Sequence, residues 1–85
     1  MKKYQHKIVN PQGLHARLAV ELVKICRDAE SHVDVMKDGV KVNGREAFSV
    51  MNLYARSGDR LEFAVRGMDE DDILLQIIRF CRENL

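Results

Sequence analysis

Two periodicities alternate along the chain. From Lys3 to Val9 every second residue is apolar or aromatic, with Tyr4, His6 and Ile8 on one side and Lys3, Gln5 and Lys7 on the other, which predicts a half-buried strand. His6 reads there as a strand-end histidine with its ring partly wet. Asn10-Pro11-Gln12-Gly13 carries turn chemistry and predicts a loop. Beyond it Ala16, Ala19, Leu22, Val23 and Cys26 recur at spacings of three and four, the apolar face of a helix running to about residue 27 or 28. Val33, Val35, Val40 and Val42 flank Asp38-Gly39, a hairpin signal that predicts strands over about 32–37 and 40–43. Asn43-Gly44 does not open a second hairpin, because Ala47, Val50, Met51 and Tyr54 follow at helical spacing and predict a short helix over about 47–53. Arg60 to Gly67 alternates again, with Leu61, Phe63 and Val65 inward. Asp69-Glu70-Asp71-Asp72 then reads as an N-cap and an acidic first turn for a helix over about 70–84, buried along Ile73, Leu74, Ile77, Ile78, Cys81 and Leu85.

The element order is βαββαβα. It predicts an α+β fold: a two-layer, open-faced β-sandwich with a four-stranded antiparallel sheet and three helices on one face. The 85 residues suffice for a single domain over 1–85. With 46% hydrophobic and 32% charged residues the composition is that of a folded globular chain, and a net charge of +1 argues against a generally basic nucleic-acid binder. Cys26 and Cys81 fall on apolar helix stripes, where a reduced thiol packs as a small hydrophobe. No apolar run approaches the roughly 20 residues of a membrane span, and no leader pattern precedes the first strand. The expectation is a cytoplasmic protein without membrane insertion.

The candidate chemistry lies at His15. It follows the loop and opens the first helix, where the leading N–H groups have no internal partner and the dipole favours an anion. Arg17 adds donors shaped for phosphate. A helix N-terminus repels a positive ring, which keeps the imidazole neutral and nucleophilic. A phosphoryl group there meets the N–H groups of Ala16 and Arg17 and the Arg17 guanidinium. There is no glycine-rich nucleotide cradle, Walker sequence, carboxylate pair or second histidine nearby in sequence. These residues suit a covalent carrier rather than an enzyme, and a structural capping histidine is the alternative. Phe48 and Met51 exceed what one narrow buried stripe requires, so they either complete a thin core or stand outside as a docking surface.

The string Gly13-Leu14-His15-Ala16-Arg17 resembles the active-site signature of HPr, the histidine-containing phosphocarrier family of the bacterial phosphotransferase system, and the length and element order resemble it end to end. The resemblance implies a sheet order of 1-4-2-3. It implies that His15 accepts a phosphoryl group from phosphoenolpyruvate by way of Enzyme I and donates it to Enzyme II A domains, as part of sugar uptake or a nitrogen-linked regulatory branch. It further implies that Arg17 binds the phosphate together with Ala16 and Leu18 at the helix start. Ala16, Phe48 and Met51 would form the apolar docking surface, with Lys24, Arg27 and Arg45 as a basic rim. No cofactor, metal or nucleic acid is implied, and a monomer is expected.

Two positions depart from the family pattern. Leu18 stands where the family almost always has proline. It restores an N–H, loosens the helix entry and is expected to leave an apolar side chain beside the site. Glu46 stands where many Gram-positive relatives carry a regulatory serine, so phosphorylation by the corresponding kinase is not expected at residue 46. These departures support a second reading, an HPr-like regulatory binding module with weak or no phosphotransfer. A metal-binding protein is a third, resting only on three His and two Cys without CxxC or HxxxH spacing.

Overall fold

The computed structural model describes residues 1–85, in the order β1 (Lys2–Lys7), α1 (Ala16–Asp28), β2 (His32–Lys37), β3 (Val40–Asn43), α2 (Ala47–Met51), β4 (Arg60–Arg66) and α3 (Glu70–Asn84). The strands form one antiparallel sheet in the order β1-β4-β2-β3. Asp38 and Gly39 both take positive φ, 49° and 81°, as the tight turn between β2 and β3 requires. β4 sits in the middle of the ladder, pairing Tyr4 with Phe63 on one side and Val35 with Phe63 on the other. The fold is thus the four-stranded open-faced sandwich with three helices. No helix is long and apolar enough to cross a membrane.

The core lies between the inner sheet face and the helices. Ile8, Leu18, Leu22, Leu61, Phe63 and Ile77 are its largest fully buried side chains besides the valines, and each such burial stabilises the fold by about 1.5–3 kcal/mol. Cys26 and Cys81 are free thiols inside this core. Burial pushes both up to about 12 from an ordinary 9.0, with the Arg45 charge partly offsetting the effect at Cys26.

Several expectations shift. β1 ends at Lys7, because Ile8 N–H turns to the Asp59 carbonyl (2.9 Å) and Val9 N–H to the Leu85 carbonyl (2.6 Å), leaving Val9 exposed. The His6 ring is half-buried, as its place on the inward side of β1 implies. Its Nδ1 lies 3.1 Å from the Tyr4 hydroxyl and its Nε2 is buried without a partner. The buried stripe of α1 runs Leu18, Ala19, Leu22, Val23, Cys26, with Ala16 outside. Helix α2 stops at Met51. Asn52 is its last αR residue, and Tyr54 takes φ 50°, which turns the chain out of the helix. Asp69 occupies the N-cap position of α3 but its carboxylate does not cap it. It accepts from the Glu30 N–H (3.0 Å), the Ser31 N–H (2.9 Å) and the Ser31 hydroxyl, joining α3 to the α1–β2 turn. The acidic first turn of Glu70, Asp71 and Asp72 is present.

Candidate functional site

The β1–α1 loop is held from both ends before it delivers His15. Asn10 N–H donates to the Leu85 carbonyl (3.0 Å) and its side-chain amide to the Asn84 carbonyl (2.8 Å). Gly13, at φ 63°, closes the turn through its N–H to the Asn10 carbonyl (2.9 Å). Leu14 N–H then donates to the Ala55 carbonyl (2.9 Å), fastening the loop to the segment that follows α2. A Cβ at Gly13 would stand 2.5 Å from the Ala55 oxygen and 2.8 Å from the Arg56 Cα, so only glycine permits this approach.

His15 is the N-cap residue of α1, with extended backbone (φ −72°, ψ 172°). Its side chain makes no cap bond. Its carbonyl accepts the first helical bond, from Ala19 N–H at 2.9 Å. The N–H groups of Ala16, Arg17 and Leu18 therefore point out of the helix end without a protein acceptor. No acidic side chain occupies the first turn to compete for them. The ring is half-exposed in an open, largely apolar cavity of about 590 Å³ lined by Gln12, Leu14, His15, Ala16, Met51, Tyr54, Ala55 and Arg56.

The expected site residues divide into groups. Ala16 and Met51 share the cavity with His15. Phe48 projects from α2 at 80% exposure. It does not complete the core, whose α2 contribution is Val50. Arg17 is exposed, and its guanidinium lies 3.3 Å from Glu21 one turn along α1. Leu18 presents its N–H at the helix start, but its side chain is 1% exposed within the core and does not lie beside the site. Lys24 and Arg27 line a separate groove with Val20 and Ala47 between α1 and α2. Arg45 is not a free rim charge. Its guanidinium donates to the Cys26 carbonyl (3.2 Å) and the Ala29 carbonyl (2.6 Å) at the end of α1, and Arg27 Nε donates to the Arg45 carbonyl (2.9 Å). Arg45 thereby satisfies orphan carbonyls at a helix C-terminus, where a cation also suits the dipole.

Tyr54 and Arg56 are cavity residues that sequence reasoning missed. Helical spacing drew Tyr54 into the α2 stripe, whereas its left-handed backbone turns it outward to 71% exposure. That backbone is held by its own N–H to the Met51 carbonyl (3.1 Å) and by Lys37, whose ammonium donates to the Leu53 (2.8 Å) and Tyr54 (3.1 Å) carbonyls and pairs with Asp59 at 3.3 Å. The Arg56 N–H bond to Asp59, with Lys37 beside it, holds the Asp59 carboxyl below its usual range. No group of three or more His, Cys, Asp or Glu side chains gathers as metal ligands would.

Comparison with known proteins matches this arrangement. A family model described as PTS-HPr, the PTS HPr component phosphorylation site, matches residues 2–83. The phosphocarrier protein HPr of Treponema pallidum is 33% identical over 73 residues, covering 86% of this chain and 83% of that protein. The HPr-like protein Crh of Halalkalibacterium halodurans is 30% identical over 80 residues, 94% of this chain and 95% of that protein. The crystal structure of HPr-C-His from Thermoanaerobacter tengcongensis superposes with a TM-score of 0.92 at 29% identity, covering 98% of this chain and 93% of that one.

Proposed function

The chain belongs to the HPr family of the phosphotransferase system, and from that premise we propose that it carries a phosphoryl group on His15, taken from phosphorylated Enzyme I and passed to Enzyme II A domains. The observation that carries this reading is the pairing of an accessible imidazole with three unpartnered N–H groups, those of Ala16, Arg17 and Leu18, at one helix end. A lone pair on a neutral ring nitrogen attacks the phosphorus. The N–P bond forms as the donor's bond to phosphorus breaks, and the donor keeps that electron pair. The product brings roughly 1.5–2 negative charges to the helix end. The N–H groups and the α1 dipole are already oriented toward them, so no reorganisation is required at transfer.

Met51 and Ala16 supply an apolar surface beside His15, Phe48 extends it from the same short helix as Met51, and Lys24 and Arg27 lie farther along α1. Such charges steer acidic partners and act on association rate more than on affinity. The protein on this reading works as a cytoplasmic monomer, in sugar uptake or its nitrogen-linked regulatory counterpart. Incubation with Enzyme I and phosphoenolpyruvate should give an acid-labile, alkali-stable phosphate that His15→Ala abolishes. Unlabelled wild type, or unchanged labelling of His15→Ala, rejects the proposal.

A second reading is a regulatory binding module that transfers little phosphate. The similarity to an HPr-like Crh protein supports it, as does Glu46. Such a module would still bind its partner through the Phe48 and Met51 surface as His15→Ala.

A further inference from the structure

Resting on the reading of His15 as phosphoryl acceptor, we propose that Arg56 is a second phosphate-binding residue of the site, presenting its guanidinium to the phosphoryl group from the loop after α2. Three observations converge. Arg56 lines the same cavity as His15, together with Tyr54 and Gln12. Its main chain is locked to the histidine loop, because the Leu14 N–H bond to Ala55 and the glycine-only approach of Gly13 to the Arg56 Cα hold it against the two residues that precede His15. Its guanidinium is unengaged. Arg56 bonds through its backbone N–H to Asp59, while its side chain makes neither a hydrogen bond nor an ion pair.

The contrast with Arg17 sharpens the assignment. Arg17 lies against Glu21 at 3.3 Å, and that carboxylate must be given up or shared before the guanidinium turns wholly to phosphate. Arg56 makes no such contact: its charge is felt by Asp59, three residues on, but no bond or ion pair joins the two side chains. Asp59, the nearby carboxylate, is already held by Lys37 at 3.3 Å and by the Arg56 N–H at 2.9 Å. A planar guanidinium without a partner, on an anchored segment beside an anion-accepting histidine, provides bidentate donors to phosphate oxygens at little ordering cost. Tyr54, beside it in the same cavity, adds an aromatic wall on that side.

The test loads His15 chemically with phosphoramidate, which bypasses Enzyme I, and follows the phosphoryl titration by phosphorus NMR. A cation beside the group favours its dianion, so wild type should titrate lower than Arg56→Gln by about half a pH unit to one unit. Arg56→Lys should keep most of that difference, which a merely structural defect would not restore, and amide spectra away from the site should be unchanged. Superimposable titrations of wild type and Arg56→Gln overturn the proposal, as does failure of His15 to load. If Enzyme I fails to phosphorylate the protein while the loaded form shows the Arg56 shift, the carrier reading falls and the Arg56 assignment stands.

Discussion

At the scale of single residues, the site depends on positions whose side-chain type and backbone conformation pull in different directions. Tyr54 is bulky, mostly exposed and left-handed, a conformation that costs a non-glycine residue on the order of 1–2 kcal/mol. Lys37 and the Met51 carbonyl hold it there. Tyr54→Gly should therefore raise stability by about 1 kcal/mol in urea unfolding, since relief of strain exceeds the little packing lost. A destabilised variant would mean that the ring packs more firmly than its exposure indicates. Leu18 illustrates the opposite relation. Its N–H is without a protein acceptor at the start of α1 while its side chain fills the core, so one position joins the helix end to stability.

At the scale of elements, the hydrophobic pattern located every strand and helix, and α1, β2, β3 and α3 begin and end where their periodicities do. What it missed has physical causes. The pattern places Ala16 rather than Leu18 at the start of the α1 stripe, because both lie in the first turn, where spacing alone does not say which face the incoming loop covers. The bonds by which exposed Arg45 caps the end of α1 leave no local signal, because their acceptor carbonyls lie 16 and 19 positions away. Tyr54 and Arg56 entered the site through a contact between distant loops, anchored at Gly13. That contact makes Gly13 a sharp test. Gly13→Ala forces a methyl group against the Ala55 carbonyl in a backbone region alanine avoids, and should cost about 2 kcal/mol or more. It should also shift the amide signals of His15 and Arg56 together. Movement of only one of the two would show that the loops are not locked.

At the scale of the whole molecule, ionisable groups set opposite limits on the fold. Asp69, held below the usual carboxylate range first by its bond from the Ser31 hydroxyl, ties α3 to the α1–β2 turn, and Asp59 ties β4 to Arg56 and Lys37. Because their native values are depressed, the unfolded chain takes up protons first as pH falls. Their contribution is complete above the ordinary carboxylate range and is lost below it. Cys26 and Cys81 act in the other direction. The unfolded thiols ionise near 9 and the native ones near 12, so stability is complete below about 9 and declines as pH rises toward 12. Urea midpoints across pH should fall at both ends, and Asp69→Asn should flatten the acid limb while leaving the alkaline limb in place. An acid limb unchanged in Asp69→Asn would remove that tie from the account.

The most direct measurement combines phosphorus NMR with amide spectra of the isotope-labelled protein before and after treatment with Enzyme I and phosphoenolpyruvate. A single new phosphorus signal should appear, and the amide protons of Ala16, Arg17 and Leu18 should move downfield as they receive the phosphoryl oxygens, with both changes absent in His15→Ala. No phosphorus signal, or a signal that leaves those three amides where they were, would contradict the claim that this helix end is built to hold the phosphoryl group.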